Sequence, residues 1–354
     1  MREIVRIIEI SILSIFFICS CNENKGNMLI FNNIPQANVE CMPIPYSEML
    51  GITLQLIKKD SLLLISDFFG DSLIHVLDVK HNIEHPKLAP KGIGPNEFLS
   101  PIAMYMTHST MYIYERQTLR LFSFPIEKIL DSGKSMKLNF TVDTYSTVSM
   151  PIDVHPLSDS MFISSKVDDG IKRFIVYNHE GKKMNDFGEY KEYWYREADI
   201  PNRVRAMYHQ THFEKHPSEK MFVAYSGHIL GIYHYESINK APILMKEFLL
   251  SKYSYDFTYN ETILSVKRAE GVERGIVSVS CSSKYIYIVY NPNKEEDDNA
   301  LAHQIKIINW NGNPVKLLNI NKQVSRLTVD ETERKGYIIA EEPEDTLMYF
   351  ILDE

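Results

Sequence analysis

Beyond residue 50 the chain repeats one unit, in which an alternating or wholly apolar strand is followed by a polar turn and another strand. The second strand of each unit is the easiest to see. It begins at Leu62 (LLLISDF), Met111 (MYIYER), Met161 (MFISSKV), Met221 (MFVAYSG), Tyr285 (YIYIVYN) and Tyr337 (YIIAEE), at intervals of about 50 to 65 residues. The fifth unit is the cleanest. Ile276 to Ser282, Tyr285 to Asn291, Gln304 to Trp310 and Pro314 to Ile320 read as four strands, the last two joined through Asn311-Gly312, a strong hairpin pair. The third repeats the plan, with Asp169-Gly170 and Glu180-Gly181 at its turns.

Four strands per unit is the size of a propeller blade, and six units can close into a ring that buries sheet faces between blades. The pattern therefore predicts an all-β six-bladed β-propeller. Its sixth unit is short of one strand: Arg326 to Thr332, Gly336 to Glu341 and Thr346 to Leu352 make three, and then the chain ends. The missing strand is expected from Met28 to Pro45 (MLIFNN or ANVECMPIP), upstream of the first blade. Two β-sandwich domains would match the strand count, but they predict neither a single repeat nor a missing last strand.

The first 20 residues follow a different logic. Arg2 and Arg6 precede the apolar run Ile10 to Ile18, and Cys19-Ser20-Cys21 follows, which is the order of a secretion signal. The run is too short to span a bilayer, which takes about 20 apolar residues. Ile18-Cys19-Ser20-Cys21 resembles the bacterial lipobox, which implies lipid on Cys21 as the first residue of the mature protein. The expected organisation is a lipoprotein signal peptide over 1–20, a polar tether over 21–27 and the propeller over 28–354. Membrane attachment through that lipid, at a bacterial outer membrane, is the address it implies. Cys41 and Cys281 would remain as thiols, either bridged or separately buried.

Composition narrows the partners. In 354 residues, 38 Lys and Arg against 46 Asp and Glu give a net charge of −8, and no basic cluster occurs, so a nucleic-acid partner is excluded. Twenty-one Tyr and 17 Phe agree with strands.

Lys91 to Pro101 (KGIGPNEFLSP) resembles the G-x-G-P-x-E-F-x-x-P turn of NHL-type and TolB-like six-bladed propellers, a group often found as lipoproteins in Gram-negative envelopes. The resemblance extends more weakly over residues 40 to 352, and His216 to Ile232 resembles that group's step into a blade strand. In this turn Gly92 and Gly94 are expected to take positive φ, Pro95 to fix the bend, Phe98 to plug an interblade core, and Glu97 to cap the turn rather than to catalyse.

Candidate chemistry is sparse. His81-Asn82-Ile83-Glu84-His85 matches H-x-x-E-H, but Pro86 follows directly and a strand precedes, so the helix that would make His81 and His85 converge is missing. His209, His212 and His216 read as surface histidines near a turn. Lys294 to Asp298 reads as a solvated hairpin tip with no regular calcium spacing. No nucleophile elbow, P-loop or C-x-x-C pair is present, and no metal or other cofactor is implied.

Two places remain as candidate binding sites. Tyr190 to Tyr208 interrupts the repeat as a long loop or short helix over one face, offering Trp194, Tyr195 and Arg196 to a partner. Alignment of the first strands puts Ala103, Asp153, Ser278 and Thr328 at comparable channel positions, with His155 and Asp330 near strand ends. That set holds one carboxylate, too few ligands for a catalytic metal. A binding or scaffold role for a protein, peptide or glycan is therefore favoured, with a channel hydrolase or lyase around Asp153 and His155 as the alternative.

Overall fold

A computed structural model describes residues 27–131, 137–142, 150–194, 197–260, 263–294, 296–297, 302–341 and 345–352. Cys19, Cys21, Tyr195 and Arg196 lie outside the described residues, as do Glu295 and Asp298 of the tip from 294 to 298.

Six antiparallel sheets follow one another along the chain. Blade 1 comprises Thr53–Lys59, Leu62–Asp67, Ser72–Asp78 and Ile83–Pro90. Blade 2 comprises Ile102–Met106, Thr110–Glu115, Arg120–Pro125 and Lys137–Thr141. Blade 3 comprises His155–Ser158, Met161–Val167, Lys172–Asn178 and Lys183–Glu189, and blade 4 comprises His212–Lys215, Met221–Ser226, Ile229–His234 and Ile243–Leu249. Blade 5 takes Glu273–Cys281, Tyr285–Lys294, Ala302–Asn309 and the first half of Pro314–Asp330. Blade 6 takes the second half of that 17-residue strand, then Lys335–Glu341, Asp345–Ile351 and Met42–Pro43.

Two strands expected over 314–320 and 326–332 are thus one. It changes partner near Val324, pairing first with Ala302–Asn309 and then with Lys335–Glu341. A polar crossing long enough to look like a loop, Asn321 to Gln323, is held in extended backbone by this double pairing.

Each blade is apolar on both faces, and each neighbouring pair shares a core. Leu64 and Ile74 of blade 1 meet Met104, Ile113 and Phe122 of blade 2. Tyr112 and Tyr114 meet Phe162 and Ile175 between blades 2 and 3, and Phe174 meets Phe213 and Phe222 between blades 3 and 4. Val223 and Ile232 meet Ile286 and Ile288, and Val289 and Ile305 meet Leu327 and Ile338. The sixth core joins Tyr337, Ile339 and Leu347 of blade 6 to Leu56, Leu63 and Ile65 of blade 1, which closes the ring. Each buried Leu, Ile or Phe in these interfaces stabilises by about 1.5–3 kcal/mol.

Phe98 is fully buried in the core between blades 1 and 2, as its turn predicts. Glu97 accepts the Gly94 N–H at 2.7 Å, so it caps the turn. The glycines act differently from expectation. Neither Gly92 nor Gly94 has positive φ, and it is Asn96 that does, at 63°. A Cβ at Gly92 would stand 2.0 Å from the Glu97 carboxylate, so a side chain there would push that carboxylate out of its capping position.

The upstream segment does complete blade 6. Met42 pairs with Tyr349 and Pro43 with Met348 in antiparallel register. On its way there the same segment adds a parallel strand to the outer edge of two other blades. Asn27–Met28 pairs with Phe248 and Leu249 of blade 4, and Gln36–Val39 pairs with Leu317 to Ile320 of blade 5. A strap of fewer than twenty residues therefore covers three outer edges that would otherwise offer unpaired backbone groups.

Cys41 and Cys281 are free thiols. Cys41 packs between blades 5 and 6, with its N–H on the Asn321 side chain at 3.1 Å, whereas Cys281 lies on the wall of the central channel. His81 sits in a turn with its ring on Asp78 at 2.9 Å, and His85 lies within a strand, so the H-x-x-E-H pair does not converge on one helical face.

Removal of residues 28–45, with the first 27 residues kept, should strip the outer strand from blade 6 and the added strands from blades 4 and 5. The expected result is a lower midpoint of cooperative thermal unfolding, with early proteolysis in blade 6. A truncated protein that melts like the parent would show that the strap is only a tether.

Candidate binding site at the channel mouth

The first strand of each blade lines a central channel of about 610 Å³, with one edge facing the axis. An edge strand carries unpaired N–H groups, and here the preceding blade supplies acceptors for them. Gln55 Oε1 accepts the Met104 N–H at 2.5 Å, and Thr328 Oγ1 accepts the Lys58 N–H at 3.4 Å. Ser278 Oγ and Ser280 Oγ accept the Leu327 and Val329 N–H groups at 3.3 and 3.0 Å. Ser278 and Thr328, two of the channel positions read from the sequence, thus serve the ring itself. Ala103 is buried between blades 2 and 3 rather than facing the channel, and Asp330 is tied to Lys58 at 2.9 Å.

Asp153 is different. Almost wholly buried just before the first strand of blade 3, it lies 3.5 Å from the Arg116 guanidinium and 3.6 Å from His212 Nδ1. Burial by itself would raise its pKa, but the His212 hydrogen bond and the Arg116 charge outweigh it and hold the carboxyl below its ordinary value. Glu214, one strand further round, has no such partner. Burial, then the charge of Asp153, push it up to about 8, so it is protonated at neutral pH. Burial, then Glu214, also raise the Cys281 thiol and the Tyr225 phenol.

His155 does not join this group. Its ring packs edge-on against Tyr105 at 4.5 Å and near Phe213 at 6.3 Å, and burial lowers its pKa to about 3. It is a neutral histidine in the wall.

The interruption at 190–211 forms a short 3-10 turn, Glu197–Asp199, and a helix, Asn202–Tyr208, as the long-loop reading allows. A hairpin, Tyr255–Tyr259 with Leu264–Arg268, follows blade 4 and packs against them. Glu197 is the hub, with no exposed surface. Its carboxylate accepts from the Tyr253 hydroxyl at 3.0 Å and the Tyr193 N–H at 2.8 Å, and meets His209 Nε2 at 3.2 Å. Trp194 stands edge-on to Tyr255 at 5.7 Å within this small core, so much of its ring is taken up by packing. Below the insertion, Arg173 of blade 3 reaches Glu247 of blade 4 at 3.2 Å, and Lys191 reaches the same carboxylate at 3.1 Å.

Between the helix, the hairpin and blade 5 runs a groove of about 690 Å³ lined by Tyr208, Gln210 and Arg268. It shares His212, Tyr225 and Val277 with the channel, so the two cavities meet at the mouth.

The three histidines expected at the surface part company. His209 and His216 are buried, the first on Glu197 and the second with Nε2 on the Ser283 carbonyl at 3.1 Å; His212 faces the mouth. Alternation in strand His212–Lys215 aims His212 and Glu214 to one side, and the aromatic-rich hub captures His209. Arg116, His212, Glu214 and Arg326 were missed as site residues because they come from three different blades, 2, 4 and 6. Among the described residues, no cluster of His, Cys, Asp or Glu could hold a metal ion.

A family model described as TolB-like 6-blade propeller-like matches residues 28–332. The chain belongs to this TolB-like family. No functionally curated protein matches the sequence. Among solved structures, a Bacteroides fragilis NCTC 9343 protein described as exported is similar at a TM-score of 0.53 and 10% identity, over 90% of this chain and 95% of that one. The Cps50 (Swd1) β-propeller domain of Myceliophteria thermophila covers 86% of this chain and 98% of its own at 9% identity, with a TM-score of 0.46. At such identities the likeness concerns fold. The site of this TolB-like chain is read from its own residues.

Its buried neutral histidines set an acid limit. Burial holds His155 and His228 at about 3 and lowers His75 and His209 as well. The unfolded chain takes protons on these rings below about pH 6.5, and the native state does not, so stability present at neutral pH is lost as pH falls from there towards 3. At pH 5 the loss is on the order of 2 kcal/mol for each of His155 and His228. Protonated Glu214 works the other way, by on the order of 2 kcal/mol over the same range, so thermal midpoints measured from pH 7 to 5 should fall by less than the histidines alone require, and His155→Gln should flatten the decline. An unchanged midpoint across that range would contradict it.

Proposed function

We propose that this TolB-like propeller is a cell-envelope lipoprotein, anchored through Cys21, that docks a protein partner on the face carrying the insertion. The observation that carries this reading is the distribution of exposed apolar side chains. Strand directions put the segments before each first strand and after each second strand on one face of the ring. There Met49 is 78% exposed, Ile93 89% and Ile171 70%, with Ile52 and Phe69 beside Met49, and Phe257 and Ile263 on the hairpin. A monomer gains nothing by holding such side chains in water, and clusters of them on loops over a rigid ring mark contact surfaces.

The sequence supports the address. A charged start, a short apolar run and Cys21 within a lipobox-like tetrapeptide supply an export signal and an acyl acceptor, and among the described residues no helix is long and apolar enough to cross a membrane. The apolar face and the channel mouth it surrounds favour binding over turnover.

Two outcomes check this. Cys21→Ser should move the protein from the membrane to the soluble fraction and abolish labelling by a fatty-acid analogue; persistent sedimentation with membranes would rule out the anchor. A photo-crosslinking residue at Ile93 should give a discrete protein adduct in cells, which Phe69→Asp reduces strongly, whereas one at Ile83 on the opposite face should not. Phe69 is exposed, so its replacement should leave stability within about 0.5 kcal/mol. Equal adducts from both faces, or none from Ile93, would dismiss the docking face.

A further inference from the structure

We propose that the channel mouth is a binding site for a ligand carboxylate, taken by the Arg326 guanidinium with the Glu214 carboxyl as a second donor. This site is distinct from the apolar loop tips and stands or falls separately from docking on them.

Arg326 enters the channel from the first strand of blade 6. Its Nε donates to the Leu54 carbonyl and its Nη1 to the Ser325 carbonyl, both at 2.6 Å, so backbone oxygens fix the plane of the fork. Nη2 has no partner among the described residues, and none of their carboxylates lies within 4.0 Å of the guanidinium. Glu341 and Asp345 act on it only from beyond contact distance. Its charge is therefore fixed in place and locally unbalanced, which is the state of a guanidinium awaiting an anion.

The other groups agree in sign. The negative charge of Asp153 is already met by Arg116 and His212. Glu214 has neither a hydrogen bond nor an ion pair among the described residues, and Asp153 of blade 3, Tyr105 of blade 2, Tyr225 of blade 4 and Cys281 of blade 5 face it. Tyr225 feels both Glu214 and Arg326, and all three line the channel. With Glu214 protonated the mouth carries a net positive charge and offers one O–H donor beside one open N–H edge. One negative charge on two oxygens fits that pair, and a cation would meet Arg116 and Arg326.

Such a carboxylate can come from a peptide C-terminus or from a uronic acid sugar. Binding to the folded protein can be followed by NMR titration at pH 6.5 with N-acetyl-alanyl-alanine against its C-terminal amide, and with glucuronic acid against glucose. One acid should bind where its neutral counterpart does not, and which acid does so identifies the source. Arg326→Gln should weaken that acid by roughly tenfold or more, and Arg326→Lys should restore part of it. Ionisation of Glu214 adds a like charge, so affinity should fall by roughly tenfold between pH 6.5 and 9. Glu214→Gln should bind at both pH values and lose that dependence. The proposal is overturned if acids and neutral counterparts bind alike, if neither acid binds at millimolar concentration, or if Arg326→Gln binds as the parent does. Should Arg326→Gln fail to fold, the acid and amide pair and the Glu214→Gln profile still decide.

Discussion

The core between blades 6 and 1 is the contact on which the rest of the molecule depends. Each sheet is apolar on both faces and is stable only when flanked on both sides. Five interfaces form between blades adjacent in sequence, but the sixth brings Tyr337 and Ile339 against Leu56 and Leu63 across most of the chain. Ring closure also aligns the six first strands, and only then do Gln55, Ser278, Ser280 and Thr328 find the neighbouring N–H groups they accept from. The strap over residues 27–43 works on the outside as these side chains do on the inside, covering strand edges that the blades leave open.

Closure creates a wall in which electrostatics is decided by neighbours rather than by residue type. Asp153 and Glu214 are carboxyls on adjacent blades, the first buried and the second half-buried, and they shift in opposite directions. The His212 hydrogen bond and the Arg116 charge are enough to keep Asp153 ionised; Glu214 has no such partner, and the charge on Asp153 adds to its penalty. Arg326 keeps its charge with carbonyl oxygens as its bonded partners. A mouth built this way holds one acid ionised, one protonated, and one fixed cation.

The insertion is organised on a smaller scale by the same rule that a buried charge must be met. Glu197 collects Tyr253, Tyr193 and His209, and so fastens the helix and the hairpin to each other above blades 4 and 5. The apolar tips around it are then displayed on a rigid base. Fold and binding surface are separable here: the repeat makes the ring, and the interruptions of the repeat make the surface.

The number of blades, the strands within each and the incomplete sixth unit were legible in the sequence, because a strand buried on its faces must show its period and a turn must show its Gly or Asn. The donor of the last strand was legible as well, from what the final unit lacked. The roles of Phe98 and Glu97 followed from their turn, whereas Gly92 was misread, since a need for space and a need for positive φ both select glycine. The channel chemistry was not legible beyond Asp153. Arg116, His212, Glu214 and Arg326 come from blades 2, 4, 4 and 6, and no local pattern says which side chains a closed ring brings together. Their ionisation was further from reach still, because a carboxyl's charge depends on who stands opposite once water has gone. Local periodicity determined the blades; only tertiary closure decided what faces the channel and in which protonation state.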